Sequence, residues 1–127
     1  MAKFIRYNNR ENTLIGPNVF DVSRAGLLGN PFTHIKDKKT KAMYVVNTRD
    51  EAIDLYDKYF DAMYKKNPLF KEAADKIFDA AKTYGVVYIG CYCRENERCH
   101  GDIIIGKINN MLLLDALNEI KNNTKNK

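Results

Sequence analysis

No stretch of this 127-residue chain approaches the roughly 20 consecutive apolar residues that a helix needs to cross a bilayer. A membrane span is therefore not expected. The opening Met1-Ala-Lys-Phe-Ile-Arg6 has neither the apolar stretch nor the cleavage site of a signal peptide, so a cytoplasmic location is expected. Cysteine is scarce, and its count of three is odd, which excludes a complete disulfide framework within one chain. The three read as reduced thiols. There is no internal repeat and no linker-like stretch, which leaves a single domain, residues 1–121, and a polar tail, residues 122–127, that is expected to fray. A hydrophobic share of 45% and a charged share of 29% exclude wholesale disorder. The length suffices for one sizeable core.

What the chain does have is positive charge. The formal net charge is +5, which favours acidic partners such as phosphates or nucleic acid. Part of the excess is Lys36, Lys38, Lys39 and Lys41 in an expected loop, and part is Lys121, Lys125 and Lys127 near the end. A solvated basic surface accounts for them equally well. They are not interleaved with aromatic residues in one stripe, as a single-strand-binding groove would require.

Periodicity predicts an α/β fold. Lys3–Tyr7, Val19–Ser23 and Ala42–Asn47 read as strands, with alternation clearest at Val19-Phe-Asp-Val-Ser23. Arg24–Phe32, with Gly26, Gly29, Asn30 and Pro31, reads as a loop. Thr48-Arg-Asp-Glu51 fits a capping box that opens a helix over Arg49–Lys65. Asn67-Pro68 breaks that helix and starts a second, which ends near Gly85. Val86–Cys91 is apolar enough for a buried central strand, and a last helix runs from Cys99 or His100 to about Lys121. The expected whole is a small Rossmann-like layered domain, a mostly parallel central sheet flanked by three helices.

In such sheets ligands sit at the carboxyl ends of the strands. Two segments leave strands there: Arg24–Phe32 after Val19–Ser23, and Cys91–Asp102 after Val86–Cys91. The second reads Cys91-Tyr-Cys-Arg-Glu-Asn-Glu-Arg-Cys-His-Gly-Asp102 and admits three readings. Cys99 near a helix N-terminus, with Arg98 before it and His100 as proton carrier, fits a reactive or ligand-orienting thiol. Cys91, Cys93, Cys99 and His100 are four potential zinc ligands, but Cys-x-Cys and adjacent Cys-His are not the usual structural spacings. No metal or other cofactor is expected. The third reading is structural, with small buried thiols at a strand end and His100 bonded to backbone. In the first segment Arg24 suits a phosphate or carboxylate, or a surface ion pair. Gly29-Asn30-Pro31-Phe32 fits a ligand loop or a plain turn. His34, beside the lysine-rich loop, reads as solvated, and Tyr56 and Tyr59 read as core.

Taken together, Val19–Arg24, Leu28-Gly-Asn-Pro-Phe32, Arg49–Ile53 with Tyr56, Gly90-Cys-Tyr-Cys93 and Cys99-His-Gly-Asp102 resemble the DUF4326 family. These are small proteins frequent in bacteriophages, with no settled function. The family's pattern has Cys-Trp-Cys where this chain has Tyr92, and a shorter segment between the cysteines than Arg94–Arg98. The closing cysteine and Cys-His also resemble those of another α/β family, DUF488. The resemblance supplies an α/β fold and no reaction.

The expected function is binding of a small anionic ligand, a nucleotide or phosphosugar, that is either modified or sequestered. Arg24, Gly29, Asn30, Arg49, Cys91, Cys93 and Gly101 are the expected ligand contacts, and Cys99, His100 and Asp102 the expected chemistry. The alternative is a basic nucleic-acid-binding module, with zinc support. Oligomeric state is open. Binding to nucleic acid should be weak, on the order of 10⁻⁴–10⁻⁶ M, indifferent to sequence and lost as salt rises. Fluorescence anisotropy with labelled oligonucleotides checks this. Tight binding to one sequence that survives raised salt would establish the nucleic-acid alternative.

Overall fold

The structure is a computed structural model that describes residues 2–8, 14–23, 27–33, 44–91 and 99–125. Its helices start and stop where side-chain chemistry says they should. In α1, Arg49–Lys66, the Thr48 hydroxyl accepts the Glu51 N–H at 3.1 Å. Asp50 and Glu51 in the first turn and Lys65 and Lys66 in the last complement the helix dipole. Asn67 serves two helices. Its N–H donates to the Met63 carbonyl at 2.8 Å, closing α1, while its side chain accepts from Leu69 and Phe70 to open α2, Pro68–Tyr84. Pro68 sits where a missing N–H costs nothing. Gly85 ends α2 in the left-handed region, φ 74°, which a side chain would disfavour.

From Gly85 the chain enters β5, Val86–Cys91, the middle strand of a parallel sheet ordered β1-β5-β2. The strand β1, Lys3–Asn8, pairs with all of β5, from Lys3 opposite Val86 to Asn8 opposite Cys91. On the other side lies β2, Val19–Asp21, with Asp21 opposite Gly90. Alternation sorts the two faces. Val87 and Ile89 of β5, with Val22 just past β2, join the core; Phe4 and Phe20 pack against it. Ile5, Tyr7, Val19, Val86 and Tyr88 point the other way and are half-buried. The core's opposite wall is Tyr56 and Phe60 of α1, Phe70, Ala74 and Ile77 of α2, and Ile104 and Ile108 of α3, His100–Lys125. Ala74, Ala80 and Ala81 are buried on α2, which packs on β5 as well as on α1 and α3. Phe60 and Phe70 meet edge to face, ring centroids 5.1 Å apart. This is the layered α/β domain that the periodicity predicted.

Some boundaries differ. Phe32 lies not in a loop but in a two-residue strand, β3 (Phe32–Thr33), parallel to β4 (Tyr44–Val45). The Phe32 and Tyr44 rings stack at 5.4 Å, an attraction between residues distant in sequence. The last helix, read to about Lys121, continues to Lys125, because nothing in Asn122-Asn-Thr-Lys125 breaks the backbone ladder. No helix among the described residues is long and apolar enough to cross a membrane.

Tyr56, fully buried, donates its hydroxyl to the Leu28 carbonyl at 2.5 Å. Burial, then Tyr59 and Cys99, hold its pKa above the ordinary tyrosine value. Its contribution is therefore complete below the unfolded value near 10 and is lost as pH climbs from there, by about 1.4 kcal/mol per pH unit. Tyr56→Phe should cost about 1–3 kcal/mol at neutral pH, since it strands a buried carbonyl. It should also flatten the alkaline loss of stability. Urea unfolding at a series of pH values checks both.

Candidate functional site at the carboxyl edge of the sheet

All three strands of the main sheet end at one edge. Asn8 ends opposite Cys91, and the Val22 N–H donates to the Gly90 carbonyl at 2.8 Å, just past β2. The Asp21 carboxylate then accepts the Ser23 N–H at 2.8 Å and turns the chain out of the sheet. Burial, then the Asp21 charge and Cys91, raise the pKa of Tyr7 at the same edge.

The last helix begins over this edge, and Cys99-His-Gly-Asp102 is its capping box. Cys99 is the cap. Its sulfur accepts the N–H of Gly101, the second helical residue, at 3.4 Å, one position before the N–H that the cap takes in the usual version. Asp102 reciprocates by accepting the Cys99 N–H at 3.2 Å. The same carboxylate oxygen takes Arg6 of β1 at 2.9 Å, with Arg6 12% and Asp102 50% exposed. One carboxylate thus closes a helix and pins it to an edge strand. Gly101 passes close to Ile89, Cys99 and Arg6.

The next contact sets the chemistry. His100 Nε2 hydrogen-bonds the Val22 carbonyl. A carbonyl only accepts, so Nε2 carries the proton. In the neutral ring Nδ1 then has a lone pair, and it lies 3.8 Å from Cys99 Sγ. Thiol, imidazole and an orienting carbonyl form a line of the kind that activates a nucleophilic cysteine. The Gly101 N–H on the sulfur's other side favours negative charge there. Opposing this, Cys99 is 1% exposed and Cys91 0%, so neither thiol meets solvent in this conformation.

Of the residues predicted from sequence, Cys91, Cys99, His100, Gly101 and Asp102 come together at this edge. Gly29 and Asn30 lie instead at a buried turn against α1. The Asn30 amide donates to the Ala52 carbonyl at 3.2 Å, and its oxygen accepts the Phe32 N–H at 2.9 Å. These bonds are those of the plain turn. Arg49, half-buried, opens α1. Arg24, Cys93, His34 and the lysine-rich loop lie outside the described residues. At the start of α3 the N–H groups of Cys99, Gly101 and Asp102 are spent within the first turn, which leaves an anion fewer of the donors that a helix N-terminus otherwise offers. Among the described residues no group of three His, Cys, Asp or Glu is placed to hold a metal ion.

Sequence reasoning missed Arg6 and the Val22 carbonyl. For Arg6 a signal existed: alternation from Phe4 puts it on the inward face of β1, where a cation demands a partner. For a carbonyl no side-chain signal can exist.

Residues 5–110 match the family described as Domain of unknown function (DUF4326). The chain belongs to the DUF4326 family. No curated protein and no solved structure matches it. The DUF4326 match runs from β1 to Asn110 within α3, and so contains the whole carboxyl edge and the capping box. In this DUF4326 member Cys99→Ser should keep the cap, whereas Cys99→Ala should lose about 1 kcal/mol relative to serine. Equal urea midpoints for the two variants would show that the sulfur caps nothing.

Proposed function

We propose that the domain binds a small anionic ligand, a nucleotide or phosphosugar, at the carboxyl edge of its parallel sheet. One observation carries the reading: β2 and β5 are adjacent and parallel. The described ends of these strands, Asp21 and Gly90, stand opposite each other, and in sequence Arg24 follows the one by three residues and Arg94 and Arg98 follow the other by four and eight. In open α/β sheets ligands sit in the crevice outside the carboxyl ends of the strands, and arginine forks suit a phosphate. The closed capping box shifts the burden of anion binding from the backbone of α3 to these side chains.

Cys99 and His100 give the same edge a thiol with a proton acceptor, so modification of the ligand and simple capture are both within its chemistry. A phage-encoded protein working in the host cytoplasm fits either nucleotide metabolism or capture of a defence signal.

The test is a panel of nucleoside phosphates and sugar phosphates, read by thermal shift and calorimetry. Arg24→Ala should weaken binding of the best ligand by roughly 1.5–3 kcal/mol, the scale of a hydrogen bond to a charged group, at unchanged melting temperature of the free protein. No binder in the panel, or full affinity in Arg24→Ala, would refute the reading. If the ligand is modified, Cys99→Ser should abolish product while retaining binding.

A further inference from the structure

The Cys99 thiol faces His100 Nδ1 yet is 1% exposed, so its chemistry depends on how it is uncovered. The last helix is seated in two different ways along its length. From Ile104 onward apolar side chains seat it, with Ile104 and Ile108 fully buried in the core. In the first turn polar bonds do so. His100 Nε2 donates to the Val22 carbonyl, the Gly101 N–H to the Cys99 sulfur, and the Cys99 N–H to Asp102. Gly101, between them, contributes no side chain. A polar bond given up here is replaced by one to water at small net cost, whereas withdrawing an isoleucine exposes apolar surface. Local opening begins where apolar anchoring is least.

One atom ties that turn to the sheet. Asp102 Oδ2 accepts both the Cys99 N–H at 3.2 Å and Arg6 Nη1 at 2.9 Å. Arg6 is held in place, because β1 pairs with the whole of β5 and the arginine side chain is only 12% exposed. The Asp102 side chain is 50% exposed, so water and salt reach the pair from its side. The turn is therefore the part that can move, and the ion pair is the bond it must leave.

We propose that the first turn of α3, Cys99–Asp102, is a lid on its own thiol, latched by Arg6. When Asp102 leaves Arg6 the turn unwinds as far as Ile104 and Cys99 meets solvent, while the sheet and the rest of the core stay intact. Opening also parts His100 from Val22. Access and alignment thus belong to different conformations: the thiol is reached with the turn open, and His100 is oriented towards it with the turn closed. The device does not depend on which ligand the edge takes.

Alkylation of the full chain by iodoacetamide, with the modified cysteines resolved by peptide mass spectrometry, tests the lid. When reclosing outpaces reaction, the rate reports the population of the open form. Cys91, fully buried at the end of the central strand, is the internal reference. Cys99 should react faster than Cys91 and with a shallower dependence on urea, the mark of an opening that exposes little surface. Asp102→Asn keeps the shape without the charge and should speed Cys99 by roughly three- to tenfold. Gly101→Ala should slow it by about two- to fivefold, since the added Cβ meets Ile89, Cys99 and Arg6 in ordinary contact at 3.5, 3.6 and 3.7 Å. Ile108→Val loosens a core that the closed and open forms share, so Cys91 should gain about two- to tenfold and Cys99 nothing. Hydrogen exchange at the Cys99 and Gly101 amides should change by the same factors as Cys99 alkylation. Equal rates for Cys99 and Cys91, or a Cys99 that responds to Ile108→Val as Cys91 does, would mean that only global unfolding uncovers the thiol, and the lid is overturned. An Asp102→Asn variant that speeds alkylation without speeding exchange acts through thiol acidity and overturns the latch, as does one that changes neither.

Discussion

The bond on which the rest of the site depends joins His100 Nε2 to the carbonyl of Val22. It ties the first residue of the last helix to the end of β2, 78 positions earlier. Because a carbonyl can only accept, the bond assigns the imidazole proton, and the assigned proton leaves Nδ1 as an acceptor towards Cys99. The ring is braced from the side by Tyr56, edge to face at 5.2 Å, and Tyr56 in turn holds Leu28. Strand end, loop, first helix and last helix are thereby connected through one buried ring. Losing that ring would free the cap, the thiol and the turn together, since a partly satisfied buried polar network costs more than an apolar replacement.

The capping box makes structural and chemical readings of Cys99 compatible. A sulfur that accepts a backbone N–H at a helix start is a structural cap, and the same N–H stabilises negative charge on it. Its burial works the other way, by penalising an isolated charge. The site as described therefore holds a thiol in position and shields it from water. Reaction at that thiol requires access that the closed conformation does not give.

The domain and its last helix answer to different constraints. Up to Asn110 the helix presents Ile104 and Ile108 to the core and Asp102 to Arg6, and Lys107 bonds Asp57 at 2.5 Å and Asp61 at 2.9 Å. Beyond that point burial fades while leucine and isoleucine continue.

Much of this was legible in the sequence because it depends on residues near one another. Thr48 three before Glu51, Asn67 before Pro68, and Gly85 after α2 each act within a turn, so their local pattern names the element and its ends. The alternation at Val19–Asp21 and the apolar run of β5 likewise announce strands, and the clustering of Cys91, Cys99, His100 and Asp102 marks the edge where they meet. What local pattern could not carry were partners chosen by folding. Asn30 looks the same in sequence with or without a backbone partner, and only the fold brings the Ala52 carbonyl to its amide. Cys99-His-Gly-Asp102 reads in sequence as a thiol site, part of a zinc site or buried structure, and its capping bonds appear only once Arg6 and Val22 lie beside it. Phe32 turned from loop to strand because Tyr44 came alongside. The sequence by itself determined the elements, since propensity, capping and periodicity act over a few residues. The tertiary structure alone decided which donors met which acceptors, because a hydrogen bond between residues 78 apart exists only once the chain between them has folded.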